Sequence, residues 1–201
     1  MGVDTKMFSK KNIKLKFNEY KNKKIILFVG RLNEQKGIDY LIKAMKIVNA
    51  KISNSILLII GEGLYKKELQ KIADSLNIDN IEFLGSINQR GLVDYYNTAD
   101  VLVLPSVTSK IGTEGLGLVL LEAMSCGTPV IGTNTGGIPT IVKNNQTGLL
   151  VNERNEYELA NAIIKTLSDK KSSQKLSKNG IEFVKNNYSW DIITKNFYNL
   201  Y

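Results

Sequence analysis

Apolar residues along this chain gather in short runs, each stopped by a glycine or proline and followed by a stretch with helical spacing. Residues 25–29, IILFV, end at Gly30; Ile38, Leu41, Ile42 and Met45 then mark one face of a helix over about 38–49, the period of an amphipathic helix. The unit repeats. Residues 56–60 stop at Gly61 and precede a helix expected to carry Leu64, Leu69, Ile72 and Leu76. Residues 81–84 close at Gly85 ahead of a helix near 92–97, and residues 101–104 stop at Pro105. A helix ending near Ser125 follows a polar loop, and strands are predicted at 129–132 and 148–151, with a Gly136-Gly137 turn between them and helices to the C-terminus.

Strands that are apolar rather than alternating, and that take turns with helices, form a parallel sheet covered on both faces. Right-handed crossovers then give an α/β, doubly wound, Rossmann-like domain, whose ligands bind beyond the carboxyl ends of the strands. The glycine-marked loops all fall at that edge. Residues 1–22 break the pattern: lysines stand at 10, 11, 14, 16 and 21 among isolated apolar residues without a period. This segment reads as a connection, which leaves 23–201 as the domain.

Composition narrows the chemistry. No apolar run reaches the roughly 18 to 20 residues of a membrane span, and the N-terminus lacks the apolar core of a secretory signal, so a cytoplasmic protein is expected. The chain has one cysteine, Cys126, in a small-residue turn, and no histidine. A Ser-His-Asp triad and most zinc or transition-metal sites are thereby excluded, and Cys126 reads as a packing residue because no imidazole can activate it. Any catalysis falls to carboxylates and cations, or to a base supplied elsewhere. The net charge of +8 favours anionic ligands, but its lysines are scattered and no nucleic-acid reading motif is present, so no nucleic-acid partner is expected.

Two stretches carry candidate chemistry. The loop at 30–37, GRLNEQKG, sets Arg31 and Lys36 just ahead of a helix, where the positive end of the helix dipole disfavours a cation by a few tenths to about 1 kcal/mol. A broken local rule of this kind marks a binding site more often than a solvated surface, and a diphosphate would suit a guanidinium and an ammonium together. In the second stretch, EGLGLVLLEAMSCGTPV, Glu114 and Glu122 are separated by seven residues. Glu122 stands among apolar neighbours, where an unpartnered charge is costly. Gly115 and Gly117 lead into a helix whose first amides, Leu116 to Val119, offer a phosphate site. Taken alone, Glu114 could equally be an acid at a helix start and Glu122 a partner in an internal salt bridge.

The segments GRLNEQKG, FLGSINQRGLVDYYNTADVLVLPS, EGLGLVLLEAMSCGTPVIGTNTGGIP and TGLLV, in this order and spacing, resemble the C-terminal, nucleotide-sugar-binding domain of the retaining family 4 glycosyltransferases of the GT-B fold. The resemblance implies that Arg31 and Lys36, in the loop opened by Gly30, neutralise a donor diphosphate, and that Glu122 accepts from the ribose hydroxyls. It implies that Glu114 contacts the donor sugar, with Gly115, Leu116 and Gly117 nearby and the Leu118 and Val119 amides on phosphate. Ser86, Ile87 and Leu92 would cradle the base, while the Gly61-x-Gly63 pair reads as a tight turn. Residues 2–8, GVDTKMF, are similar to the linker that follows the acceptor-binding domain in that family, so the N-terminal domain is expected to be absent and the isolated chain inactive. The full-length enzyme would transfer a sugar from a nucleoside diphosphate to a glycan or lipid acceptor for cell-envelope polysaccharide, without a cofactor or metal, in the cytoplasm or at the inner membrane face. The alternative is a non-catalytic module that binds nucleotide or nucleotide-sugar. Residues 106–113 are longer than in many relatives and have no assigned task.

Overall fold

The computed structural model describes residues 1–11, 18–110 and 112–198. Six strands form one sheet: β1 (Lys24–Val29), β2 (Ser55–Ile60), β3 (Ile81–Gly85), β4 (Val101–Leu104), β5 (Val130–Thr133) and β6 (Leu149–Val151). Every pairing is parallel, in the order β3-β2-β1-β4-β5-β6. Every residue of β2, β4 and β5 is buried, which explains why these runs carry no polar alternation. The order reverses between β1 and β4, the place where a doubly wound sheet opens a crevice at its carboxyl edge.

The described residues form eight α-helices: α1 (Ile38–Lys51), α2 (Lys66–Ser75), α3 (Gln89–Thr98), α4 (Leu118–Ser125), α5 (Ile138–Ile141), α6 (Glu156–Ser168), α7 (Lys170–Asn187) and α8 (Trp190–Tyr198). Helix α1 packs on α2 and α6, and α4 on α3 and α7. The face expected for α1 is fully buried at Ile38, Leu41, Ile42 and Met45. Leu64 differs: α2 begins two residues later, at Lys66, and Leu64 lies fully exposed in the turn before it. Its apolar character mimics a helical period that the turn has not yet begun.

The N-terminal segment is tied into the fold at its isolated apolar positions. Val3 and Phe8 are buried; the Val3 amide donates to the Tyr188 carbonyl at 2.8 Å, and the Trp190 amide donates to Val3 at 3.3 Å. Ser125 Oγ donates to the Phe8 carbonyl at 2.5 Å, and the Phe8 ring lies 5.9 Å from that of Tyr96. Lys14 and Lys16 of the expected connecting segment lie outside the described residues.

Two positions hold the crevice loops against one another. Gly37 is left-handed, φ 59°, and a Cβ there would sit 2.1 Å from the Pro105 carbonyl oxygen. Gly136, φ 54°, meets the Glu114 carbonyl in the same way, and the Gly137 amide donates to that carbonyl at 2.9 Å. Gly37→Ala should therefore cost about 1 to 3 kcal/mol from backbone strain, with the clash added to it. Urea unfolding is expected to show a lowered midpoint with an unchanged slope.

Candidate functional site

The two stretches singled out from the sequence meet at the strand-order reversal. The β1 loop runs through Arg31 into a 3-10 turn (Glu34–Lys36) closed by Gly37, and the chain after β4 delivers Glu114 four residues ahead of α4. Lys36 Nζ lies 2.5 Å from Glu114 Oε2. Ser106 Oγ donates to the same oxygen at 2.9 Å. The two side chains of the ion pair are only 16% and 11% exposed, so each offsets the desolvation of the other. The cation that opposes the α1 dipole is compensated by a carboxylate 78 residues away. Arg31 is exposed.

Glu122 lies on the second turn of α4 and is half-buried. Its partner is a phenol: Tyr96, fully buried on α3, donates its hydroxyl to Glu122 Oε2 at 2.7 Å. Burial raises the Glu122 pKa above the ordinary carboxylate value, and the hydrogen bond from Tyr96 opposes part of that rise. The Tyr96 hydroxyl is raised well above its usual range by burial and by the Glu122 charge, which keeps it a donor. Thr128 fixes the α3 backbone by donating its hydroxyl to the Tyr96 carbonyl.

Two adjoining clefts share Val29 and Gly30. One, about 300 Å³, is lined by Gly30, Lys36, Glu114, Gly115, Leu116, Gly117, Leu118 and Val119. The other, about 240 Å³, is lined by Gly30, Arg31, Gly61, Glu62, Ser86 and Ile87. The continuous crevice thus brings together the expected residues, with two exceptions among those assigned to ligand. Leu92 is buried in the core and lines neither cleft, because it sits on the inward face of α3. Glu122 lines neither cleft either. The Gly61-x-Gly63 turn braces the first loop, since a Cβ on either glycine would lie within 2.1 Å of a carbonyl oxygen of Gly30 or Leu32.

Thr108, in the unassigned loop, receives a hydrogen bond from Arg154 at 2.5 Å, shares one with the Thr135 hydroxyl at 2.9 Å, and donates its amide to Glu153; Ile111 of this loop lies outside the described residues. A separate cavity of about 430 Å³ beside it, lined by Tyr40, Tyr65 and Val107 among others, contains none of the expected site residues. Cys126 is buried, and its thiol is pushed up to about 12, chiefly by burial and then by the Glu122 charge, so it is no nucleophile. Among the described residues no group of three His, Cys, Asp or Glu could hold a metal ion, and no helix is long and apolar enough to cross a membrane.

Residues 9–183 match the family described as glycosyl transferases group 1. The chain belongs to this family. It is 38% identical over 181 residues to an uncharacterized glycosyltransferase, MJ1607, of Methanocaldococcus jannaschii, covering 90% of this chain and 45% of that protein. It is 33% identical to a GDP-mannose-dependent alpha-(1-6)-phosphatidylinositol monomannoside mannosyltransferase of Mycobacterium tuberculosis, covering 84% and 44%. The chain thus spans about half the length of the curated relatives it matches. Among solved structures, the C-terminal domain of a group 1 glycosyl transferase, LpcC of Francisella tularensis, superposes with a TM-score of 0.82 at 28% identity, covering 94% of this chain and all of that one. The Anabaena protein HepE in complex with UDP-glucose shares the fold, with a TM-score of 0.88 at 21% identity over 99% of this chain and 55% of its own. The fold is therefore that of the C-terminal half of a GT-B glycosyltransferase.

For this glycosyltransferase domain, sequence reasoning missed Ser106 and Tyr96. Ser106 had a faint signal, a buried-type small polar residue directly after the Pro105 stop, and Tyr96 had none beyond an aromatic at an inward helical position. The raised Glu122 pKa has a defined consequence for stability. A carboxyl that is harder to ionise folded than unfolded binds more protons in the folded state, so stability is fullest below the unfolded value and declines as pH rises through the folded one. Glu122→Gln should remove that decline: its melting temperature, followed from pH 4 to pH 8, is expected to equal or exceed the parent's at the upper end.

Proposed function

We propose that this domain binds a nucleoside diphosphate sugar and, in the full-length enzyme, supports transfer of the sugar to a glycan or lipid acceptor with retention at the anomeric carbon. The observation that carries the reading is the Lys36–Glu114 pair lining the cleft at the start of α4. It sets a cation for the diphosphate beside a carboxylate for the sugar, at the start of a helix whose amides suit phosphate. A module that only sensed nucleotide would have no use for the carboxylate. Binding of UDP-glucose by HepE and the GDP-mannose dependence of the mycobacterial relative support this ligand class. An N-terminal domain, following the size of the relatives, would supply the acceptor site.

In the transition state the bond to the departing diphosphate lengthens, negative charge grows on its oxygens and the sugar becomes oxocarbenium-like. Arg31, Lys36 and the first amides of α4 would oppose charge that is larger in the transition state than in the bound donor, which is the condition for acceleration. When the diphosphate takes Lys36, Glu114 keeps its bond from Ser106 and is free to accept from sugar hydroxyls. One oxygen of Glu122 is already committed to Tyr96, leaving the other for a ribose hydroxyl. The protein cations stand in for a metal in this scheme.

Calorimetric titration of the 201-residue chain with nucleoside diphosphates should give micromolar to millimolar binding that is unchanged by EDTA, without sugar transfer. In the full-length enzyme, Arg31→Ala and Lys36→Ala should each lower turnover about a hundredfold, the effect of removing one transition-state donor of roughly 3 kcal/mol. Unchanged turnover in both variants would overturn the phosphate assignment.

A further inference from the structure

We infer that the end of the crevice beside Gly85 selects guanine, with Glu62 as the residue that reads the base. The inference rests on the nucleotide-sugar reading and adds the base to it. If the diphosphate lies at Lys36 and the α4 amides, the adjoining cleft of Gly61, Glu62, Ser86 and Ile87 is left for the nucleoside.

Three strand ends floor that cleft. The Gly30 amide donates to the Ile60 carbonyl at 3.0 Å and the Gly61 amide to the Gly85 carbonyl at 2.8 Å. A Cβ on Gly61 would lie 1.9 Å from the Gly30 carbonyl oxygen. The loops after β1 and β2 thus meet backbone to backbone beneath the cleft, which fixes the position of Glu62 between them.

Glu62 stands at its lip. The Glu62 Oε1 atom lies 3.1 Å from the point where a Cβ on Gly85 would be, and 3.1 Å from Lys66 Nζ. Half of the Glu62 side chain remains exposed. The ion pair with Lys66 leaves acceptor lone pairs on both Glu62 oxygens, and these favour a ligand that brings hydrogen-bond donors to them.

Guanine brings two. Its N1–H and N2–H₂ groups are adjacent donors that match the two oxygens of an ionised carboxylate, which can only accept. Its O6 lies next to them, on the side where an ammonium such as Lys66 can donate. Uracil offers a single N3–H between two carbonyl oxygens, each of which would face the carboxylate. Adenine offers N6–H₂ beside the acceptor N1. Only guanine satisfies both carboxylate oxygens without placing an acceptor against them, and a bidentate contact of this kind discriminates between bases by about ten- to a hundredfold.

The experiment is calorimetric titration of the chain with GDP, inosine diphosphate, UDP and ADP, repeated on Glu62→Gln and Glu62→Ala, with thermal melting to establish that both variants are folded. GDP should bind about ten- to a hundredfold tighter than UDP or ADP, and inosine diphosphate, which lacks the 2-amino group, in between. Both variants should lose most of the preference by weakening GDP while UDP holds or improves. Equal affinities in the parent chain, or a GDP preference that survives both substitutions, would overturn the assignment of the base and leave the donor site standing. Binding of none of the four nucleotides would remove the donor site itself, and this inference with it.

Discussion

One carboxylate oxygen organises the carboxyl edge of this domain. Glu114 Oε2 accepts from Lys36, on the loop after β1, and from Ser106, on the loop after β4, and these are the two strands between which the strand order reverses. Without that oxygen, Lys36 would be a largely buried cation facing the positive end of α1. Without Lys36, Glu114 would be a buried charge with only a hydroxyl for company. Breaking such a pair from either side is far more costly than its net contribution when intact, so the geometry of both loops depends on it.

Backbone contacts then make the arrangement exact in space. Gly37 lies against the Pro105 carbonyl and Gly136 against that of Glu114, so the chain segments that follow the first, fourth and fifth strands meet closely at backbone atoms. The result is a crevice whose polar groups are set before any ligand arrives. Preorganisation of this kind avoids an ordering cost at the moment of binding. The same logic governs Glu122, which is held by a buried phenol rather than by an opposite charge, and so keeps a negative charge that a cation would have neutralised.

The six strands were legible because interior parallel strands are obliged to be apolar on both faces, and β2, β4 and β5 could hardly be anything else. The site was legible as two separate loops, through Lys36 at a helix start and Glu122 in an apolar run, since each breaks a local rule. Their partners were not. Lys36 finds Glu114 and Glu122 finds Tyr96 across 78 and 26 residues, and no local pattern encodes such a meeting. Leu64 went astray for the opposite reason, an apolar residue in a turn that falls in phase with the helix after it. Val3 and Phe8 carry no period, because each is buried by a distant element and not by a face of its own.

The stitch between Val3 and the residues on either side of Ser189 has a mechanical meaning. The chain enters the sheet domain and reaches its last helix at one small spot, where Val3 bonds to Tyr188 and Trp190. The same segment is tied again at Phe8, to Ser125 on α4 and against Tyr96 on α3, so the first residues fasten the last described helix to the elements that carry Glu122 and its partner.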